Sequence, residues 1–106
     1  MSSCIALCTY RVKENAEEEF SALLRQHAPT LRRLGLVTDE ESQLFRGQDE
    51  SGRTFFVEVL HWKDAEGHKL AEQLPEVLQI WEKMGQRVEA RLGRPPMEFP
   101  FVSPIN

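Results

Sequence analysis

The sequence has little of what usually announces a function. It contains two cysteines, one tyrosine, two tryptophans and three histidines in 106 residues. The histidines are not closely spaced and no HExxH or CxxC pattern occurs, so no metal site is expected. No stretch approaches the roughly 20 apolar residues of a membrane span. The opening MSSCIALCTY lacks a basic segment, and its apolar run is shorter than a secretory leader's core of about 7–15 residues. Charge of one sign is not concentrated either. Thirteen Lys and Arg against seventeen Asp and Glu leave a net charge of -4, which gives no general attraction to nucleic acid or to an anionic membrane. Arg32, Arg33, Arg46 and Arg53 read as solvated charges rather than a binding patch. Cys4 and Cys8, four apart on a strand, would face the same way about 13 Å apart, too far for a disulfide. They read as small reduced core residues of a soluble cytoplasmic protein. No repeat, linker or low-complexity segment divides the chain, so residues 1–106 are expected to form one domain.

What is present is an alternation of patterns. CIALCTYRV, residues 4–12, is a strand. From Ala16 the positions Phe20, Leu23, Leu24, His27, Leu31 and Leu34 recur at helical spacing and Gly35 supplies a stop, predicting a helix over about 15–34. Pro29 lies inside that pattern and predicts a kink or break near His27. SQLFRG and TFFVEVLHW flank the turn QDESG, the mark of a hairpin. Asp64 then offers an N-cap for a short helix. Pro75 suits the first turn of a longer one, whose stripe of Val77, Leu78, Trp81, Met84, Val88 and Leu92 ends at Gly93 and the Pro95-Pro96 pair. The tail MEFPFVSPI reads as a last strand, confined by its prolines to an edge or an irregular course.

This order, βαββαβ, predicts an α+β, ferredoxin-like sheet with both helices on one face. Alternation puts Phe55, Val57, Val59 and His61 on one side of the third strand and Phe56, Glu58, Leu60 and Trp62 on the other. Both sides are largely apolar, and two helices cover only one. The second cover is most economically another copy of the sheet, so a homodimer is expected.

Together with HAPTLRRLGL at the end of the first helix, the stretch FVEVLHWKDAEGHKLAEQLPEVLQIW resembles the antibiotic biosynthesis monooxygenase-like group of the dimeric α/β-barrel superfamily. The resemblance covers most of residues 4–92 and weakens over the tail. It implies sheet-to-sheet dimerisation into a barrel and a cavity between sheet and helices. It also implies a cofactor-independent monooxygenase-like reaction on a small hydrophobic compound, aromatic or quinol-like. Carried over by position, the polar residue on the third strand is Glu58, the Trp at the strand end is Trp62, and the partner on the following helix is His68. Where such oxygenases tend to hold a neutral amide, Glu58 places a carboxylate. The haem-degrading branch would need an Asn, a Trp and an axial His where Thr9, Ala71 and Glu82 stand, so no haem is expected.

Glu58 is the sharpest candidate, because a carboxylate in an apolar cavity has a raised pKa and can serve as a base near neutrality. The competing expectation is a structural pair with His27, Arg46 or another basic side chain. His27, on the apolar stripe beside Pro29, reads either as a proton partner or as a core histidine bonded to a freed carbonyl. His68 is the other proton partner and His61 faces the expected partner subunit. Trp62 and Trp81 read as cavity walls or packing anchors, and Tyr10 as a pocket donor. The rival to an enzyme is a non-catalytic dimer that binds a small molecule or stabilises a partner protein.

Overall fold

The computed structural model describes residues 4–105. At the centre of one antiparallel sheet lie β1 (Ile5–Arg11) and β3 (Thr54–His61), paired so that Cys8 stands opposite Glu58 and Tyr10 opposite Phe56. β2 (Gln43–Gln48) flanks β3. The hairpin turn between them is held by Asp49, whose Oδ1 accepts the Ser51 and Arg53 amides at 2.9 and 3.2 Å, and by Gly52 at φ +80°. The tail supplies β4 (Met97–Glu98) and β5 (Phe101–Val102), both against β1. Pro100 separates them without loss of continuity, since its carbonyl still accepts the Leu7 amide at 2.9 Å. The expected last strand is thus an edge strand in two pieces.

α1 (Glu17–Arg33) runs unbroken through Pro29, so the expected break near His27 does not occur. Proline deprives the Arg25 carbonyl of its helical donor, but Arg25 and Pro29 both lie on the exposed face, where water can replace it. The helix ends as predicted at Gly35, at φ +76°. The Leu36 amide reaches the Leu31 carbonyl at 2.9 Å and the Gly35 amide reaches Arg32 at 3.0 Å, a Schellman close. α2 (Gly67–Ala71) has Glu66 rather than the expected Asp64 at its N-cap; Asp64 holds the turn before it, its Oδ1 accepting the Glu66 and Gly67 amides at 2.9 and 3.0 Å.

α3 (Pro75–Gly85) starts where Pro75 predicts but stops seven residues before Leu92. Val88 and Leu92 keep helical spacing, yet the chain has already turned out to the sheet. Lys13 donates to the Arg87 carbonyl and Glu89 donates to the Arg11 carbonyl, both at 2.8 Å, so Val88 is buried as a bridge to Val12. Leu92 takes φ +54° and is exposed, as is Leu78.

The faces of β3 differ as alternation predicts. Thr54, Phe56, Glu58 and Leu60 are buried beneath the helices, while Phe55, Val57, Val59 and His61 are only half-buried. Phe20 of α1 is fully buried between Tyr10 and Phe56, with ring centroids at 5.1 and 5.7 Å. Each such large apolar side chain contributes about 1.5–3 kcal/mol by leaving water. On the opposite face Phe45 is 54% exposed and Leu7 37%.

Candidate active site

Between the sheet and the helices lies a cavity of about 250 Å³. β1 contributes Ala6, Cys8 and Tyr10, which share a face by alternation, and β3 with its end contributes Leu60 and Trp62. His27, His68, Trp81 and Met84 close it from the helices, and Met97, Phe99 and Phe101 from the tail. Five of the residues singled out from the sequence, Tyr10, His27, Trp62, His68 and Trp81, therefore meet around one space. Gly67 brings α2 close enough to do this, because a Cβ there would stand 3.1 Å from the Trp62 ring and 3.1 Å from the Leu36 carbonyl.

Glu58 is placed otherwise. Its side chain has no exposure and lies one layer behind the wall, where Tyr10 Oη donates to Oε1 at 2.7 Å. His27 Nδ1 lies 2.9 and 3.1 Å from the two carboxylate oxygens. The partner anticipated at Arg46 pairs instead with Glu17 at the surface. His27 bonds to Glu58 and not to a freed backbone carbonyl.

The direction of this network follows from its far end. The Trp81 indole N–H, which can only donate, points at His27 Nε2 at 2.8 Å. Nε2 must therefore be the acceptor, and the imidazole proton sits on Nδ1, facing Glu58. The chain reads Trp81 to His27 to Glu58, with Tyr10 donating to the same carboxylate from the other side. It joins α3, α1, β3 and β1. A carboxylate removed from water is costly unless donors surround it, and two neutral donors do so here.

The electrostatic consequences appear on the neighbouring acids. Burial, and then the nearby Glu58 charge, hold the Tyr10 hydroxyl well above its ordinary range, so it remains a phenol. Burial pushes the Cys8 thiol up to about 12, and Glu58 adds to the effect. Cys8 is thus not a ready nucleophile, although it lines the cavity.

His68 stacks on Trp81, with ring centroids at 5.8 Å and planes at 29°, and meets Trp62 edge-on at 5.7 Å. Its Nδ1 is 3.6 Å from Glu72 Oε1. His61 lies outside the site, on the open face, 3.5 Å from Glu40. Among the described residues, no group of three or more His, Cys, Asp and Glu side chains is arranged to hold a metal ion. No described helix is long and apolar enough to cross a membrane. Sequence reasoning missed the cavity roles of Cys8 and the tail. Cys8 could have been found from its alternation with Tyr10, whereas nothing in the proline-rich tail signals that Phe99 packs edge-on against Tyr10 at 5.9 Å.

No family model matches the sequence, and no curated protein matches it significantly. Solved structures do match. A candidate antibiotic biosynthesis monooxygenase from Bordetella bronchiseptica superposes with a TM-score of 0.74 at 13% identity, covering 100% of each chain. An antibiotic biosynthesis monooxygenase superposes at 0.72 with 14% identity, covering 96% of this chain and 98% of the other. A mutant of SnoaB, a cofactor-independent oxygenase from Streptomyces nogalater, superposes at 0.68 with 15% identity, covering 100% and 96%. The chain has the fold of the antibiotic biosynthesis monooxygenases, as the sequence resemblance implied.

Proposed function

We propose that the protein is a cofactor-independent monooxygenase-like enzyme that takes a proton from a small hydrophobic substrate, aromatic or quinol-like, and lets the resulting carbanion react with oxygen. The observation that carries this reading is a buried carboxylate set directly behind Tyr10 and His27, two polar side chains of a mostly apolar cavity. Glu58 is the proton sink and Tyr10 the contact. As the Tyr10 proton moves to Glu58, the substrate proton moves to Tyr10 Oη, so the phenol is never left ionised. The carbanion bonds to O₂, the peroxide oxygen recovers a proton through the same path, and loss of water with a second C–H proton leaves a ketone. Trp62 and Trp81 hold the aromatic body, and His68 at the wall is a second proton partner.

Oxygen uptake with a panel of anthrone and quinol compounds tests this. The wild type should consume oxygen, while Glu58→Gln and Tyr10→Phe should lose about 10²–10⁴-fold, the usual worth of a general base. The rival, a non-catalytic binding or partner-stabilising protein, is favoured by one feature: both donors around Glu58 are already spent on it. Tight binding of panel compounds that are returned unchanged, with no uptake, decides for the rival.

The same reading includes a homodimer formed sheet to sheet, since the face bearing Val57, Val59, Leu7 and Phe45 is apolar and incompletely covered. It also includes residence in the cytoplasm, where the free thiols of Cys4 and Cys8 stay reduced.

A further inference from the structure

We infer that Trp81 is a positioning residue whose indole N–H keeps His27 uncharged, and so keeps the Glu58 carboxylate free to accept a proton from Tyr10. The inference rests on the proposed role of Glu58, but its first half concerns the resting protein alone. A histidine within 3.1 Å of both oxygens of a buried carboxylate would ordinarily take up a proton and form an ion pair. Such a pair would neutralise the carboxylate and remove its basicity. Here the second imidazole nitrogen is already occupied, because Trp81 donates to Nε2 at 2.8 Å. A proton on Nε2 would set two N–H groups against each other at that distance, so protonation requires the indole to leave.

The groups around His27 offer no other route. Glu58 of β3 is the charged group in contact with it, while Tyr10 donates to Glu58. The Cys8 thiol of β1 and the His68 ring of α2 share the cavity wall. His68 stacks on Trp81, which braces the indole in the position that meets His27. Trp81 is thus more than a wall. Phenylalanine would fill the wall nearly as well but would lack the donor.

The test is ¹⁵N NMR of the imidazole rings at neutral pH, without substrate. In the wild type His27 should carry its proton on Nδ1 and show Nε2 as an unprotonated acceptor. In Trp81→Phe it should show both nitrogens protonated. With an active substrate, this variant should lose kcat. A wild-type His27 protonated at Nε2, or doubly protonated at neutrality, overturns the inference even if the variant does not fold. An unchanged pattern in a folded Trp81→Phe also overturns it. If the NMR result holds but no compound supports oxygen uptake, the reading of Trp81 stands and the proposed reaction fails.

Discussion

The two faces of β3 are made from similar residues and do different things. Both are rich in Phe, Val and Leu, yet beneath the helices Phe56 and Leu60 are buried around Glu58, while on the other side Phe55, Val57 and Val59 are half covered. The closed face therefore pays for its polar group with a complete set of donors, whereas the open face carries no such group and leaves apolar area unspent. A buried carboxylate constrains everything near it; an uncovered valine constrains only what can dock. The difference teaches where substitutions will act: inside the monomer on one face, between copies on the other.

The sharpest break on the closed face is Glu58→Ala. It leaves the Tyr10 hydroxyl and the His27 N–H without an acceptor, at about 1–3 kcal/mol for each, and removes side-chain volume besides. Denaturant unfolding should register the whole loss. Glu58→Gln, which keeps one oxygen acceptor, should fall between Ala and the wild type. A Glu58→Ala protein as stable as the wild type would mean that the network contributes nothing to folding.

Alkaline pH probes the same face without a change of shape. Cys8 is 2% exposed, and its thiol rises from an ordinary 9.0 to about 12. The folded protein thus holds that proton more tightly than the unfolded chain. Its contribution is complete below about pH 9 and is lost as pH rises toward 12. Three units at 1.36 kcal/mol each make about 4 kcal/mol. Tyr10 shifts in the same direction and steepens the fall. Stability measured between pH 8 and pH 11 should decline more gently in Cys8→Ala than in the wild type. Parallel curves for the two proteins would remove Cys8 from the account.

How much of this contrast was readable beforehand depends on range along the chain. Alternation in FFVEVLHW separates the two faces with no knowledge of neighbours, and Gly35 and Pro75 mark their helix ends locally. The pairing of Tyr10 with Glu58 requires the β1–β3 register, set by residues 48 apart, which no local pattern contains. Val88 misled because its helical spacing is real; its backbone partners on β1 decided the outcome. Pro29 does not break its helix, because on a wet helix face water can take the place of the lost amide donor. The tail residues that close the cavity follow Gly93, Pro95 and Pro96, and their placement rests on hydrogen bonds to β1 that sequence pattern does not display.

The open face offers a test by partition. Val57→Lys places a charge in the middle of it, opposite Phe45 and Thr9, where the long side chain still reaches water in an isolated chain. If two copies meet there, light scattering should find about twice 12.3 kDa for the wild type and a mass near 12.3 kDa for the variant. A wild type near 12.3 kDa at micromolar concentration would sink the dimer reading. Phe55→Ala should have the smallest effect in a monomer, because Phe55 is only half-buried and its ring lies over Gly47 across the strand pair. Aromatic cross-strand cover of this kind is worth about 0.2–1 kcal/mol. A larger loss that depends on protein concentration would place Phe55 in the contact between copies, and one independent of concentration would mean that the hairpin needs the ring on its own account.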